Sequence, residues 1–284
     1  MKHIFLNLKR FDVPTRLAGV NSLADVSVWG KYIVETTQEE LGRYDPCEVE
    51  FVQFFPEAHL IGARCAMRAG GNLKLGCQGV FRHDTAAGGN FGSFTTNLPA
   101  SAARAMGCSY ALIGHCEERA DKLEILSGGG AGCPESVDAL LNQEVLCAQG
   151  RGLSVLFCVG EREEEQENWQ EVLGRQLEKG LKGADLSKVV IGYEPVWSIG
   201  PGKTPADKSY ITMAARFIKQ SLGEVDIVYG GGLTSANAGM LAEIPEVSGG
   251  LIALTRFKGE IGFYPDEYLD IVRTYLDAAE RSKA

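Results

Sequence analysis

Several features are scarce in this chain of 284 residues, and each absence narrows what it can be. Its eight cysteines, at 47, 65, 77, 108, 116, 133, 147 and 158, include no C-x-x-C pair. Neither a metal site nor a disulfide framework is indicated, and the thiols read as buried packing groups in a reducing compartment. No apolar run approaches a membrane span, and the opening MKHIFLNLKRF has no apolar core followed by a small-residue cleavage site. A cytoplasmic protein with no membrane partner is expected. No low-complexity linker divides the chain. Basic residues are the minority charge: 28 Lys and Arg against 37 Asp and Glu give a formal net charge of −9. Such a surface disfavours nucleic acid as a partner, yet a local pocket can still hold a small anion.

What is present is regular. The composition, 45% hydrophobic and 23% charged, is that of a globular protein able to bury a large core. Short runs rich in β-branched and aromatic residues recur along the chain: IFLNL (4–8), VEFVQF (49–54), LKLGCQGV (73–80), YALIG (110–114), LSVLFCVG (153–160), KVVIGY (188–193), VDIVYG (225–230) and GGLIAL (249–254). Most are continuously apolar rather than alternating, which suits parallel strands covered on both faces. Helical patterns lie between them. Residues 162–182 place Trp169, Val172, Leu173 and Leu177 near one face, 207–222 open on the cap candidate Asp207, and 265–278 carry Pro265 and acids in the first turn. Eight strand–helix units predict an α/β fold, a single (β/α)8 barrel domain over 1–284, with a doubly wound open sheet as the structural rival. Two Gly-rich pieces read as loops. TAAGGNFGS (85–93) follows the third strand directly, where barrel loops carry function, whereas SGGGAGC (127–133) lies further from its strand and reads as an insertion.

Polar residues interrupt the apolar runs where the strands end. They are Asn7 and Lys9 after the first, Gln78 in the third, His115 and Glu117 after the fourth, Cys158 and Glu161 at the fifth, and Glu194 after the sixth. In a barrel these share one rim. The set suits proton transfer beside a carbonyl: Glu194 as base, His115 as hydrogen-bond donor to the developing oxyanion, Lys9 for its charge, Asn7 to orient the oxygens. Each has a plainer alternative as a solvated strand end or a satisfied core residue. Cys116 and Cys158 read as packing thiols, and Glu117 and Glu161 as ion-pair partners supporting the rim. After Glu194 comes a segment ending Gly202-Lys203-Thr204. A nucleotide-binding loop needs a glycine five residues before Gly202; that position is Trp197, so the nucleotide reading fails.

YEPVWSIGPGKTPA (193–206) is similar to the catalytic-Glu and lid segment of the triosephosphate isomerase family. IGHCEER (113–119) resembles that family's His motif, with Cys116 where Ser is usual, and NLK (7–9), CVGE (158–161) and YGG (229–231) match in order along the chain. The resemblance implies a cofactor-free, metal-free aldose–ketose isomerase of glycolysis and gluconeogenesis, acting on glyceraldehyde 3-phosphate and dihydroxyacetone phosphate. Glu194 would be the base, His115 the electrophile, Lys9 and Asn7 the electrostatic partners, with Glu117 and Cys158 in support. The lid would comprise Pro195, Val196, Trp197, Ser198, Ile199, Gly200, Pro201, Gly202, Lys203 and Thr204, stiffened by Pro201.

Departures from the family accompany this. Phosphate would be held at Gly200, Gly231, Gly232, Leu254 and Thr255, but Gly232 replaces a Ser, and Leu254-Thr255 stand where Gly-Gly is expected. Arg256 beside them either compensates by charge or is an ordinary surface residue. A homodimer through the loop at 85–96 is implied, with Gly92 at the position of a Thr that the family delivers to its partner. Phe94 stands where an acid is usual, and Glu118 where Arg is usual. Two other functions stay open: isomerisation of another phosphorylated ketose such as a tetrulose phosphate, and a non-catalytic barrel that binds a metabolite or a protein.

Overall fold

The computed structural model describes residues 1–130, 132–200 and 203–282. Eight strands, β1 (Lys2–Asn7), β2 (Val49–Phe55), β3 (Leu73–Cys77), β4 (Tyr110–Ile113), β5 (Ser154–Val159), β6 (Val189–Tyr193), β7 (Asp226–Tyr229) and β8 (Gly249–Ile252), pair in sequence order and close into a barrel. Every pairing is parallel, including the closure of β1 on β8 through His3↔Gly249 and Leu6↔Ile252. The closure decides against the open sheet. Helices α1 (Trp29–Leu41), α2 (Glu57–Ala66), α3 (Ala100–Ala105), α4 (Cys116–Gly128), α5 (Pro134–Gly150), α6 (Trp169–Gly180), α7 (Lys208–Leu222) and α8 (Ala238–Ala242) lie between the strands, and α9 (Pro265–Arg281) follows the last. Among the described residues no helix is long and apolar enough to cross a membrane.

The continuous apolar runs have the expected cause. Alternate residues of each strand point to opposite faces, and both faces are covered. Ile4, Leu6 and Leu8 join a cluster with the helices, which includes Ile33, Leu60, Ile218 and Tyr275. Phe5, Val52, Phe54, Tyr110, Leu112, Leu156, Cys158, Val190, Val228 and Leu251 form a separate cluster. It is the filling of the barrel itself. The same alternation that faces Phe5 inward faces His3 inward below it and Asn7 inward above it.

Below the filling lies a polar network centred on the buried His3 and Glu50. His3 Nδ1 is 2.9 Å from Glu50 and its Nε2 is 2.8 Å from Asp226. The Tyr110 hydroxyl donates to Glu50 at 2.7 Å, Lys74 pairs with Glu50, and Ser248 donates to Asp226 at 2.8 Å.

Helix boundaries follow local chemistry. The Asp207 carboxylate accepts the Tyr210 N–H at 2.8 Å and caps α7, as its sequence position indicates. The helical pattern from residue 162 begins instead as a 3-10 turn over Glu163–Asn168, and α6 starts at Trp169. The reason is a closed local loop: Glu165 accepts both the Arg162 N–H and its guanidinium, which tightens the first turn. In the 127–133 segment, residue 131 lies outside the described residues; its neighbours join α4 to α5, so this segment links two helices.

Candidate active site

A cleft of ≈720 Å³ opens at the C-terminal ends of the strands. Asn7, Lys9, His115, Cys116, Gly200 and Gly231 are among its lining residues. Glu194, at the top of β6, is 1% exposed. Its backbone continues the ladder through Glu194 N–H to Val159 at 2.8 Å. Gly160 is required beside it, because a Cβ there would overlap the Glu194 carbonyl oxygen. Gln176 of α6 fixes Gly160 by accepting its N–H and donating to its carbonyl, both at 2.9 Å.

Among the described residues, the Glu194 carboxylate is held at one oxygen only. Oε2 accepts the Cys116 N–H at 2.9 Å, at the start of α4. Oε1 lies 3.3 Å from His115 Nε2, yet it has no aligned hydrogen bond. Burial raises the pKa of this carboxyl, opposed by the Cys116 N–H and the charge of Lys9. A buried carboxylate with one uncommitted oxygen has the form of a general base. His115 caps α4, its Nδ1 accepting the Glu117 N–H at 3.3 Å. An accepting Nδ1 assigns the proton to Nε2, the nitrogen that faces Glu194 and the cleft.

Lys9 sits at φ 38°, a left-handed conformation that costs a side-chain-bearing residue on the order of 1–3 kcal/mol. The surroundings enforce it. Lys9 N–H donates to Asn7 Oδ1 at 3.0 Å, and the Gln78 amide donates to Asn7 Oδ1 and to the Lys9 carbonyl at 3.3 and 3.0 Å. Lys9 Nζ pairs with Glu117 at 2.7 Å, as the rim reading of Glu117 expects. Burial alone would raise the Glu117 carboxyl, but the bond to Lys9 outweighs it and the net shift is downward.

Glu161 differs from its sequence reading. Among the described residues it has no ion pair. Fully buried, it accepts from Trp197 Nε1 at 2.7 Å, from the Tyr193 hydroxyl at 3.1 Å and from the Tyr210 hydroxyl at 3.1 Å. Three neutral donors can satisfy a buried carboxyl where a lysine could not be accommodated without its own desolvation cost. Through Trp197 the carboxyl anchors the segment after Glu194, whose Val196–Ser198 stretch forms one 3-10 turn. Pro195 accepts from the Ser198 hydroxyl at 2.9 Å and Lys203 reaches Glu163 at 3.2 Å. Pro201 and Gly202, assigned from sequence to the same segment, lie outside the described residues.

At the far wall, the N–H groups of Gly231, Gly232 and Leu254 make no hydrogen bond among the described residues, and all three residues line the cleft. Gly232 adopts φ 95°. Thr255 is not brought to the cleft. Its N–H donates to Gly262 at 3.1 Å and its hydroxyl accepts the Tyr264 N–H at 2.9 Å, so the cleft-lining pair is Ala253-Leu254, one residue earlier than the sequence places it. Arg256 is an internal tie. Its Nε donates to Glu267 at 2.8 Å, and its guanidinium lies over the Tyr264 ring at 3.8 Å.

His115, Cys116 and Glu194 each offer a donor atom within 4.8 Å of the others. Burial and then the Glu194 charge push the Cys116 thiol up to about 12, which keeps it protonated. Cys158 is buried in the barrel filling, and burial raises its thiol as well.

A family model described as "Triosephosphate isomerase" matches residues 30–274, which leaves Asn7 and Lys9 outside the matched span. The triosephosphate isomerase of Thiobacillus denitrificans is 34% identical over 238 residues, 79% of this chain and 86% of that protein. That of Marinobacter nauticus is 31% identical over 256 residues, 86% of this chain and 91% of the other. A crystal structure of triosephosphate isomerase from Bartonella henselae shares the fold, with a TM-score of 0.71 over 97% of this chain and 99% of that one, at 24% identity.

Proposed function

The chain belongs to the triosephosphate isomerase family, and from that premise we propose that it interconverts dihydroxyacetone phosphate and glyceraldehyde 3-phosphate. One observation carries the reading: a buried carboxylate points a free oxygen, at 3.3 Å, to the Nε2 of an imidazole that lines one cleft with an ammonium. Glu194 removes a proton from C1 of the ketose, and the electron pair of that C–H bond becomes the C=C bond of an enediolate. Negative charge moves to the carbonyl oxygen, where His115 Nε2–H and Lys9 meet it. Return of the proton at C2, with the hydroxyl proton exchanged between the two oxygens, completes the aldose. This pairing of glutamate base and neutral histidine is one for which the family is itself the type case. The step is a proton transfer and needs no cofactor.

The segment 195–204 acts as a lid that keeps water from the enediolate, another feature for which the family is the standard instance. The Gly231, Gly232 and Leu254 N–H groups receive the phosphate, with Gly200 closing from the lid. Purified protein is expected to turn over triose phosphate without parallel release of inorganic phosphate, the product of an enediolate that escapes. Released phosphate keeping pace with isomerisation would refute the lid. No turnover of any sugar phosphate would remove the enzyme reading and favour a binding barrel. A tetrulose phosphate is the second reading, supported by Ala253-Leu254 in place of Gly-Gly and by the commitment of the Thr255 and Arg256 N–H groups to Gly262. A kcat/KM for the tetrulose at least tenfold above that for the triose would select it.

The working form we infer is a homodimer. Phe91, on the loop at 85–96, is 85% exposed, and beside Asn7 and Lys9 a second cleft of ≈460 Å³ is available to a partner's loop. Burying one Phe contributes about 2–3 kcal/mol, so Phe91→Asp is expected to weaken association about a hundredfold. Sedimentation of the wild-type protein as a monomer at micromolar concentration would sink the idea. Eight unpaired cysteines, three of them buried, suit a reducing cytoplasm.

A further inference from the structure

Behind His115 lies a charged cluster that the proton transfer does not use. Glu118, on α4, accepts the Gly114 N–H at 2.6 Å through Oε2. Gly114 is the left-handed residue, φ 80°, that turns the chain from β4 into His115. Its carbonyl is held from the other side by Arg119 Nε at 2.8 Å. Side chains thus clamp both backbone polar groups of the residue that aims the imidazole. Lys122 Nζ bridges Glu118 Oε1 at 2.9 Å and Glu144 Oε1, on α5, at 3.0 Å. Glu144 is 4% exposed, and its Oε2 is buried without an aligned donor. Two carboxyls around one ammonium, with one oxygen orphaned, are satisfied when a proton is shared between them.

We propose that Glu118, Lys122 and Glu144 form a proton-dependent positioning device for His115, in which the proton shared by the two carboxyls keeps Glu118 on the Gly114 N–H and loss of that proton releases it. Glu144 cannot leave, because α5 buries it. Glu118 can, with its side chain 20% exposed. Burial, and then the neighbouring Glu118, push the Glu144 carboxyl up to about 8, while Lys122 opposes the shift. Glu118 and Lys122 face Glu144 from α4. Along α5 its neighbour is Cys147, with the Asp84–Arg151 pair beyond. Once the proton is gone, two carboxylates confront each other across a single ammonium, and the mobile one swings toward solvent. Gly114 then loses its clamp, and the imidazole its aim.

The inference rests on His115 acting as proposed above, and the experiment separates the two. kcat of the wild-type protein is measured from pH 6.5 to 9.5, beside that of Glu144→Gln, in which the amide imitates the protonated carboxyl. A small displacement of a catalytic group costs about tenfold or more. Wild-type kcat is therefore expected to fall about tenfold with a midpoint near 8, at nearly constant KM. Glu144→Gln is expected to match wild type at pH 7 and to lack that limb. Lys122→Met, which removes the opposing charge, is expected to move the midpoint upward, and it serves if Glu144→Gln does not fold. A flat wild-type profile, or a limb unchanged in both variants, overturns the proposal. If no sugar phosphate is turned over at any pH, the isomerase reading fails instead. The amide resonance of Gly114 then decides: movement near pH 8 in wild type and not in Glu144→Gln supports the device, and a common profile overturns it.

Discussion

Glu194→Gln is expected to lower kcat by about 10³-fold while leaving the barrel intact. Glutamine has the same shape, and its carbonyl oxygen can still accept the Cys116 N–H that now meets Oε2. It has no basic lone pair to take a carbon-bound proton. Stability is not expected to fall. Burial raises the Glu194 pKa, so the folded state binds this proton more tightly than the unfolded chain does. That group favours folding most at low pH, and the contribution is lost as pH rises through its folded value. An uncharged glutamine is free of the loss. For the same reason the acidic limb of kcat/KM in the wild type is expected above the ordinary carboxylate range. The checks are steady-state kinetics beside a thermal melt. A variant that keeps more than a tenth of wild-type kcat would show that the base is another group.

The second large effect lies at the opposite end of the barrel. Glu50→Ala is expected to destabilise the fold by about 3–5 kcal/mol near pH 6, the usual consequence of removing one partner from a buried charged set. Glu50 is 7% exposed and accepts from His3, Tyr110 and Lys74. Without it, the buried Tyr110 hydroxyl loses its acceptor and His3 keeps only Asp226. The pH dependence has a definite sign. Burial acts against charge in Glu50, yet its bonds to His3, Lys74 and Tyr110 win and hold it near about 2. The bond to His3 leads in holding Asp226 near about 2. These contributions are present above the unfolded carboxylate values and vanish as pH falls toward 2. Burial would lower His3, but hydrogen bonds to Asp226 and Glu50 outweigh it, and the net shift is upward from 6.5. Its contribution is full below 6.5 and disappears as pH rises through the folded value. The network therefore stabilises most between about pH 4.5 and 6.5. Denaturant unfolding at pH 3, 5.5 and 9 should find the gap between wild type and Glu50→Ala widest at 5.5. A difference under about 1 kcal/mol at that pH would contradict the account.

The two ends of the barrel were not equally legible in the sequence. Strands covered on both faces must be apolar throughout, so β1 to β8 stand out as runs. Asn7, Gln78, His115 and Glu194 stand out because they break those runs at the end where barrel loops gather. His3, Glu50 and Asp226 carry no such signal. They sit at strand starts, where polar residues are unremarked, and their partners lie 47 and 223 positions away. Glu161 misled for a related reason: a carboxylate at a strand end reads as an ion-pair partner of the rim, and only the fold brings Tyr193, Trp197 and Tyr210 around it. The β8 loop failed by register. Leu254 and Thr255 are equivalent candidates on paper, and the Thr255–Gly262 bond that turns Thr255 away is set by a hairpin that no short-range pattern announces. The same hairpin explains why the charge of Arg256, prominent in sequence, is spent on Glu267 and Tyr264.

Gly160 and Gln176 have a bearing on how this scaffold could be rebuilt. Gly160 fits so closely under Glu194 that the top of β5 and the base on β6 must shift together, and Gln176 grips Gly160 by both backbone groups from α6. The position of the Glu194 carboxylate is thus inherited from the helix layer rather than from the strand that carries it. Transplanting β6 and the residues that follow it into another barrel would carry over the carboxylate without its mount. The smallest portable unit is β5, α6 and β6, with Gln176 as the pin that sets the working distance.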